Sequence, residues 1–148
     1  MTEIRFYHLL HSTAYEAMPL LLQKVSDMSM TGSVLVSSHI MKQMSDALWQ
    51  GGRPTNFIAH DTSDKDSDTP FVITDKYSVD ALRSTVFAVD VLPDEIINNL
   101  DLVCYMFNGH DSEVLNNARA LWKIVLKNDA NTVSYYQQGD RGNWRKKA

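Results

Sequence analysis

Short β-branched and aromatic runs recur along this chain with helical segments between them, and that alternation restricts its fold more than any other feature. The spacing predicts strands near 4–9, 33–38, 56–60, 71–74, 85–91, 101–107 and 132–136, and helices near 15–30, 39–49 and 110–127. Strand and helix in turn imply an α/β protein: a three-layer α/β/α sandwich with a mostly parallel sheet, Rossmann-like but lacking a phosphate-binding loop. Thr13 and Glu16 form a capping-box pattern at the first helix, although Pro19 then either kinks that helix or marks a later start. Asp94-Glu95-Ile96-Ile97 adds a turn before the strand near 101, and the acidic stretch 61–69 reads as a mobile surface loop.

A chain of 148 residues is enough for one domain, 1–148, that folds without staples. The single cysteine, Cys104, lies in the apolar run Leu102-Val103-Cys104-Tyr105-Met106-Phe107, so no internal disulfide forms and the expected setting is reducing and cytoplasmic. No basic stretch followed by an apolar one opens the chain. No apolar run reaches the roughly 20 residues of a membrane helix, so no membrane partner is expected.

Charge is unevenly placed. Residues 119–148 hold seven basic groups against two acidic ones, a surplus of five, and since the whole chain carries −4 the first 118 residues hold −9. An acidic body repels a polynucleotide, whereas the basic end, including a tail at about 139–148, attracts an anionic partner or is a solvated tail.

Nucleotide, metal and nucleophile signatures are missing. Gly51-Gly52 and Gly32 precede strands, where a dinucleotide or P-loop glycine turn would follow one. His8, His11, His39, His60 and His110 share no ligand spacing. The Asp64, Asp66, Asp68 series lacks the glycine and the closing Glu of a calcium loop. Ser33, Ser37 and Ser38 occupy no nucleophile elbow, and nothing near Cys104 lowers its pKa. No cofactor and no catalytic residue is expected.

Helical spacing singles out the segment 110–127. Val114, Ala118, Leu121 and Val125 share the face that packs on the sheet, while Arg119, Lys123 and Lys127 form a basic stripe with Trp122 between the two faces. A Trp bordering a cationic ridge suits an acidic peptide with an apolar end; a solvated face with a half-buried Trp fits equally. Trp49 and Phe57 flank the Gly-Gly connection of residues 46–61 and read either as core rings or as binding anchors.

Several of these stretches resemble the chi subunit of bacterial DNA polymerase III. Asp46-Ala47-Leu48-Trp49, then Pro54, then Phe57-Ile58-Ala59-His60-Asp61 is similar to that family's Leu-Trp, Phe, apolar, His signature. Ile4-Arg5-Phe6-Tyr7-His8-Leu9 resembles its opening strand, Met18–Lys24 and Gly32–Val36 its first helix and second strand, and Ala118-Arg119-Ala120-Leu121-Trp122-Lys123 its late basic helix. The resemblance implies an adaptor without chemistry of its own in the clamp-loader part of the holoenzyme. It implies that Arg119, Trp122 and Lys123 receive the acidic C-terminal tail of single-stranded DNA-binding protein (SSB), and that Trp49 and Phe57 contact the psi subunit or a helicase. Contact with DNA would then run mainly through SSB. The glycines of the 51–53 connection and the acidic loop after His60 depart from the pattern and make the psi contact the less secure of the two. Two readings stay beside it: a small α/β enzyme or nucleotide-binding domain with an unorthodox site, and direct single-strand binding by Tyr135, Tyr136, Trp144 and Arg145.

Overall fold

A computed structural model describes residues 2–50, 58–62 and 65–148. The elements run β1 (Glu3–Leu9), α1 (Ala14–Asp27), β2 (Gly32–Leu35), α2 (Met41–Gln50), β3 (His60–Thr62), β4 (Phe71–Thr74), β5 (Thr85–Val89), β6 (Leu102–Asn108), α3 (Ser112–Leu126), β7 (Thr132–Gln138) and β8 (Trp144–Lys146). Among the described residues eight strands make one sheet in the order β3-β4-β2-β5-β6-β1-β7-β8, with the β7–β8 pair antiparallel and the other pairs parallel. The expected mostly parallel α/β sandwich is the fold observed.

Both faces of the sheet are covered, which is why its central strands read as unbroken apolar runs rather than alternating ones. In β6, Val103, Tyr105 and Phe107 join Ile4 and Phe6 of β1 under α3, while Cys104 and Met106 join Tyr7 and Leu9 under α1 and α2. Burial pushes the Cys104 thiol up to about 12, so it is an inert core group. The α1–α2 core and the α3 core are thus separate layers, and a side chain's position along a strand decides which one it serves.

The Thr13–Glu16 capping box forms, and α1 begins directly after it at Ala14, carrying Pro19 inside rather than starting later. Its C-terminus comes at Asp27, earlier than expected, because Ser29 turns the chain at φ 60. Asp90, at φ 62, likewise stops β5 at Val89 instead of 91, and its carboxylate accepts the Asn108 N–H at 2.9 Å. A 3-10 turn at Ser38–Ile40 precedes α2, and another at Asp94–Asn99 takes the place expected for a turn before β6. The strand expected at 56–60 is displaced to His60–Thr62; residues 56 and 57 lie outside the described residues.

Two expectations are corrected. The 139–148 segment is not simply a solvated tail: Trp144–Lys146 pairs with Tyr136–Gln138 as β8, and Lys147 N–H continues the ladder to Tyr135 O at 2.7 Å. The segment after β3 is not a free loop over its described part either. The Arg83 guanidinium donates to the carbonyls of Lys65, Ser67, Thr69 and Pro70 at 2.8–3.1 Å, so one half-buried fork holds four acceptors of the turn.

Candidate functional site

Asp111 caps helix α3, its side chain accepting the N–H groups of Glu113 and Val114 and so satisfying two free donors of the first turn. Ala118, Leu121 and Val125 are buried against the sheet and Val114 is partly so, as the helical spacing requires. Arg119 and Lys123 are exposed, one turn apart. Trp122 is half-buried, with its ring meeting Phe6 edge-on at 5.2 Å and Tyr135 of β7 edge-on at 5.5 Å.

These residues enclose a groove of about 390 Å³. Leu115, Ala118, Trp122 and Tyr135 form its apolar lining and Arg119 and Lys123 its cationic side. The structure therefore brings Arg119, Trp122 and Lys123 into one concavity, whereas Lys127, the third member of the stripe, takes no part in it. Leu115 was not singled out in the sequence, although it stands one turn before Arg119 and the same helical spacing would have found it. Tyr135 could not be found in that way, because the sequence does not reveal which of Tyr135 and Tyr136 faces α3.

Tyr135 is fixed from behind. Its hydroxyl pairs with His8 Nδ1 at 2.7 Å, and its backbone is tied to Lys147 and Ala148. The other ring nitrogen, His8 Nε2, is buried with no hydrogen-bond partner among the described residues and lies against the backbone of Gly109, where a Cβ would stand 2.1 Å from it. Burial, and then the positive charge of Arg119 and the proximity of His110, hold the His8 pKa below its ordinary value. A neutral imidazole thus supports the groove wall from the inside, and the cationic charge stays on the rim. Burial raises the Tyr135 pKa, so its hydroxyl stays protonated at neutral pH.

Trp49 lies elsewhere. It is 52 % exposed on α2, its ring 4.5 Å from that of His60, which is held between Ser45 Oγ at 2.8 Å and the Ile58 carbonyl at 2.7 Å. It is therefore a surface ring with a fixed neighbour rather than a core ring. Phe57, its expected companion, lies outside the described residues. Because α2 and α3 cover opposite faces of the sheet, the two surfaces are separate.

The three aromatic residues considered with Arg145 as a stacking platform for single strands lie on two faces of the sheet. Tyr136 stacks on Tyr7 at 5.3 Å and Trp144 meets Tyr7 edge-on at 5.1 Å, in the layer of α1, while Tyr135 belongs to the layer of α3. At the carboxyl end of β1, where a nucleotide-binding fold presents backbone amides to phosphate, those amides are already engaged. The N–H groups of Leu10, His11 and Ser12 all converge on Gln138 Oε1, at 2.8–3.1 Å. Among the described residues no group of three His, Cys, Asp or Glu side chains is placed to hold a metal ion, and no helix is long and apolar enough to cross a membrane.

Comparison with known proteins gives one result of weight. The family model described as DNA polymerase III chi subunit, HolC, matches residues 1–132, which takes in β1 to α3 and all of Trp49, Arg119, Trp122 and Lys123. Nothing among curated proteins or solved structures matches. Tyr135 and β8 fall beyond the matched segment, so one wall of the groove is built by chain that the family model does not cover. With nine-tenths of its length matched, the chain belongs to the chi-subunit family of DNA polymerase III and is an accessory subunit of that polymerase.

Proposed function

We propose that this subunit is a non-catalytic adaptor that ties the polymerase III holoenzyme to SSB-coated lagging strand. The α3 groove receives the acidic C-terminal tail of SSB. The observation that supports this most is the pairing, in one concavity, of two exposed cations with an apolar lining of Trp122, Tyr135, Leu115 and Ala118. Carboxylates pair with Arg119 and Lys123, and the terminal apolar side chain of the tail leaves water against the indole and the phenol. An exposed contact of this kind is weak alone. Its value in the holoenzyme is avidity, since a second attachment converts the tail contact into an intramolecular one.

The second attachment is assigned to the α2 surface around Trp49, with psi or another clamp-loader component, or a helicase, as the partner. A large half-exposed aromatic ring braced by His60 is the kind of group that anchors protein interfaces. Titrating a fluorescent peptide of the SSB tail against the full chain tests the first contact. Saturable binding that weakens with added salt is expected, and no binding at low salt would overturn the assignment.

A further inference from the structure

A second groove, of about 570 Å³, runs between α1 and the turn joining β7 to β8. Its apolar floor comes from Ala17, Leu20 and Leu21 of α1 and from Trp144 of β8. The three helical positions recur at i, i+3 and i+4, and Lys24 continues the same face at i+7. This stripe borders the face that packs on the sheet: Ala17 is buried with Met18, Leu22 and Val25, Leu21 is partly buried against the same core, and Leu20 stands out of it. Leu20 is 52 % exposed, and Trp144 is steadied by its edge contact with Tyr7.

The lining of this groove carries two cations and one acid, so positive charge is in excess. Lys24 stands on the helix and Arg141 on the turn, and neither makes an ion pair among the described residues. The one acid lining the groove, Glu16, is engaged in the capping box, where it accepts from the backbone N–H and the hydroxyl of Thr13. On a chain whose net charge is −4, an apolar groove flanked by two unpaired cations is a local inversion. The turn that carries Arg141 is shaped in advance: Gly142 sits at φ +78, and Gly139 N–H reaches Asn143 O at 2.7 Å.

We propose that this groove is a docking site, separate from the α3 groove, for an acidic peptide segment carrying a bulky apolar side chain. The apolar side chain lies on Leu20 and Trp144, and carboxylates on either side of it meet Lys24 and Arg141. Two cations are too few for a polynucleotide track, whose affinity comes from neutralising many phosphates together.

The test is amide NMR of the isotope-labelled full chain titrated with the synthetic peptide Asp-Glu-Leu-Phe-Glu-Asp. An Arg119→Glu background removes any contribution of the α3 groove. Shifts confined to residues 16–24 and 139–144 are expected in that background. The Lys24→Glu, Arg141→Glu double variant should weaken binding about tenfold and Leu20→Ser about fivefold, all at exposed positions where folding is unaffected. Replacing Leu and Phe of the peptide by Ser should abolish the shifts. Shifts absent from both segments, or undiminished in the double variant and in Leu20→Ser, would overturn the proposal. So would shifts evoked there by a bare thymidine oligonucleotide or by phosphatidylglycerol vesicles and not by the peptide.

Discussion

Trp122 of α3 and Tyr135 of β7 meet with their ring planes at 90° and their centroids 5.5 Å apart, so a helix and an outer strand supply two perpendicular walls of one groove. Neither wall stands without its support. Phe6 backs the indole and His8 holds the phenol hydroxyl, and both residues come from β1, which lies between β6 and β7 in the sheet. The groove is therefore part of the core's geometry, while its two cations are free to meet a ligand.

The first prediction concerns those cations. Arg119→Ala should weaken SSB-tail binding by roughly 1.5–3 kcal/mol, the range for a hydrogen bond to a charged group. Its melting temperature should match the wild type because the side chain is exposed. Fluorescence titration at low salt reads the difference, and equal affinities would remove α3 from the site.

Trp49 offers the complementary test. Trp49→Ala should abolish capture of a holoenzyme or helicase component while changing SSB-tail affinity by no more than about 0.5 kcal/mol, since sites on opposite faces behave additively. A pull-down paired with the tail titration measures both. Loss of tail binding in the same variant would show that the two surfaces are coupled.

A third expectation follows from His8. Its folded pKa lies below the ordinary value of 6.5, so the unfolded chain takes up the proton more readily. The corresponding stability is present above that unfolded value and is lost as pH falls below it. Melting temperature should drop between about pH 7.5 and about pH 5.5 in the wild type, and drop less in His8→Gln. Identical pH slopes for the two proteins would contradict the account of the wall behind Tyr135.

Arg83 supplies the fourth. Replacing it by Met removes the donor shared by four carbonyls, and the expected cost is roughly 1.5–3 kcal/mol, with faster amide exchange in residues 65–69. Exchange rates unchanged in that segment would mean that the turn keeps its shape without the guanidinium.

The sequence carried the fold in its central strands and long helices, and lost it at the edges. Val103-Cys104-Tyr105-Met106-Phe107 is apolar throughout because both faces are covered, and that run is unmistakable. Trp144-Arg145-Lys146 has no apolar period to mark it, since a three-residue outer strand is exposed on most sides, so β8 looked like tail. Arg83 could not be connected with the 65–70 turn, because that link is made only when β5 and β4 come into the same sheet. Arg119, Trp122 and Lys123 were readable from helical spacing together with the family resemblance. Tyr135 and His8 were not, because their meeting depends on the register between β1 and β7.

On the proposed reading, this subunit reaches DNA through SSB. Its first 118 residues carry −9, and the seven basic residues of the remainder are divided among separate places: Arg119, Lys123 and Lys127 on or at the end of α3, Arg141 on the β7–β8 turn, and Arg145, Lys146 and Lys147 on and just after β8. A gel-shift series at physiological salt with bare oligonucleotide, SSB-coated oligonucleotide, and oligonucleotide coated with tail-truncated SSB tests this most directly. Association with the SSB-coated strand alone is the predicted result; tight binding to bare oligonucleotide, or equal binding to the tail-truncated complex, would contradict it.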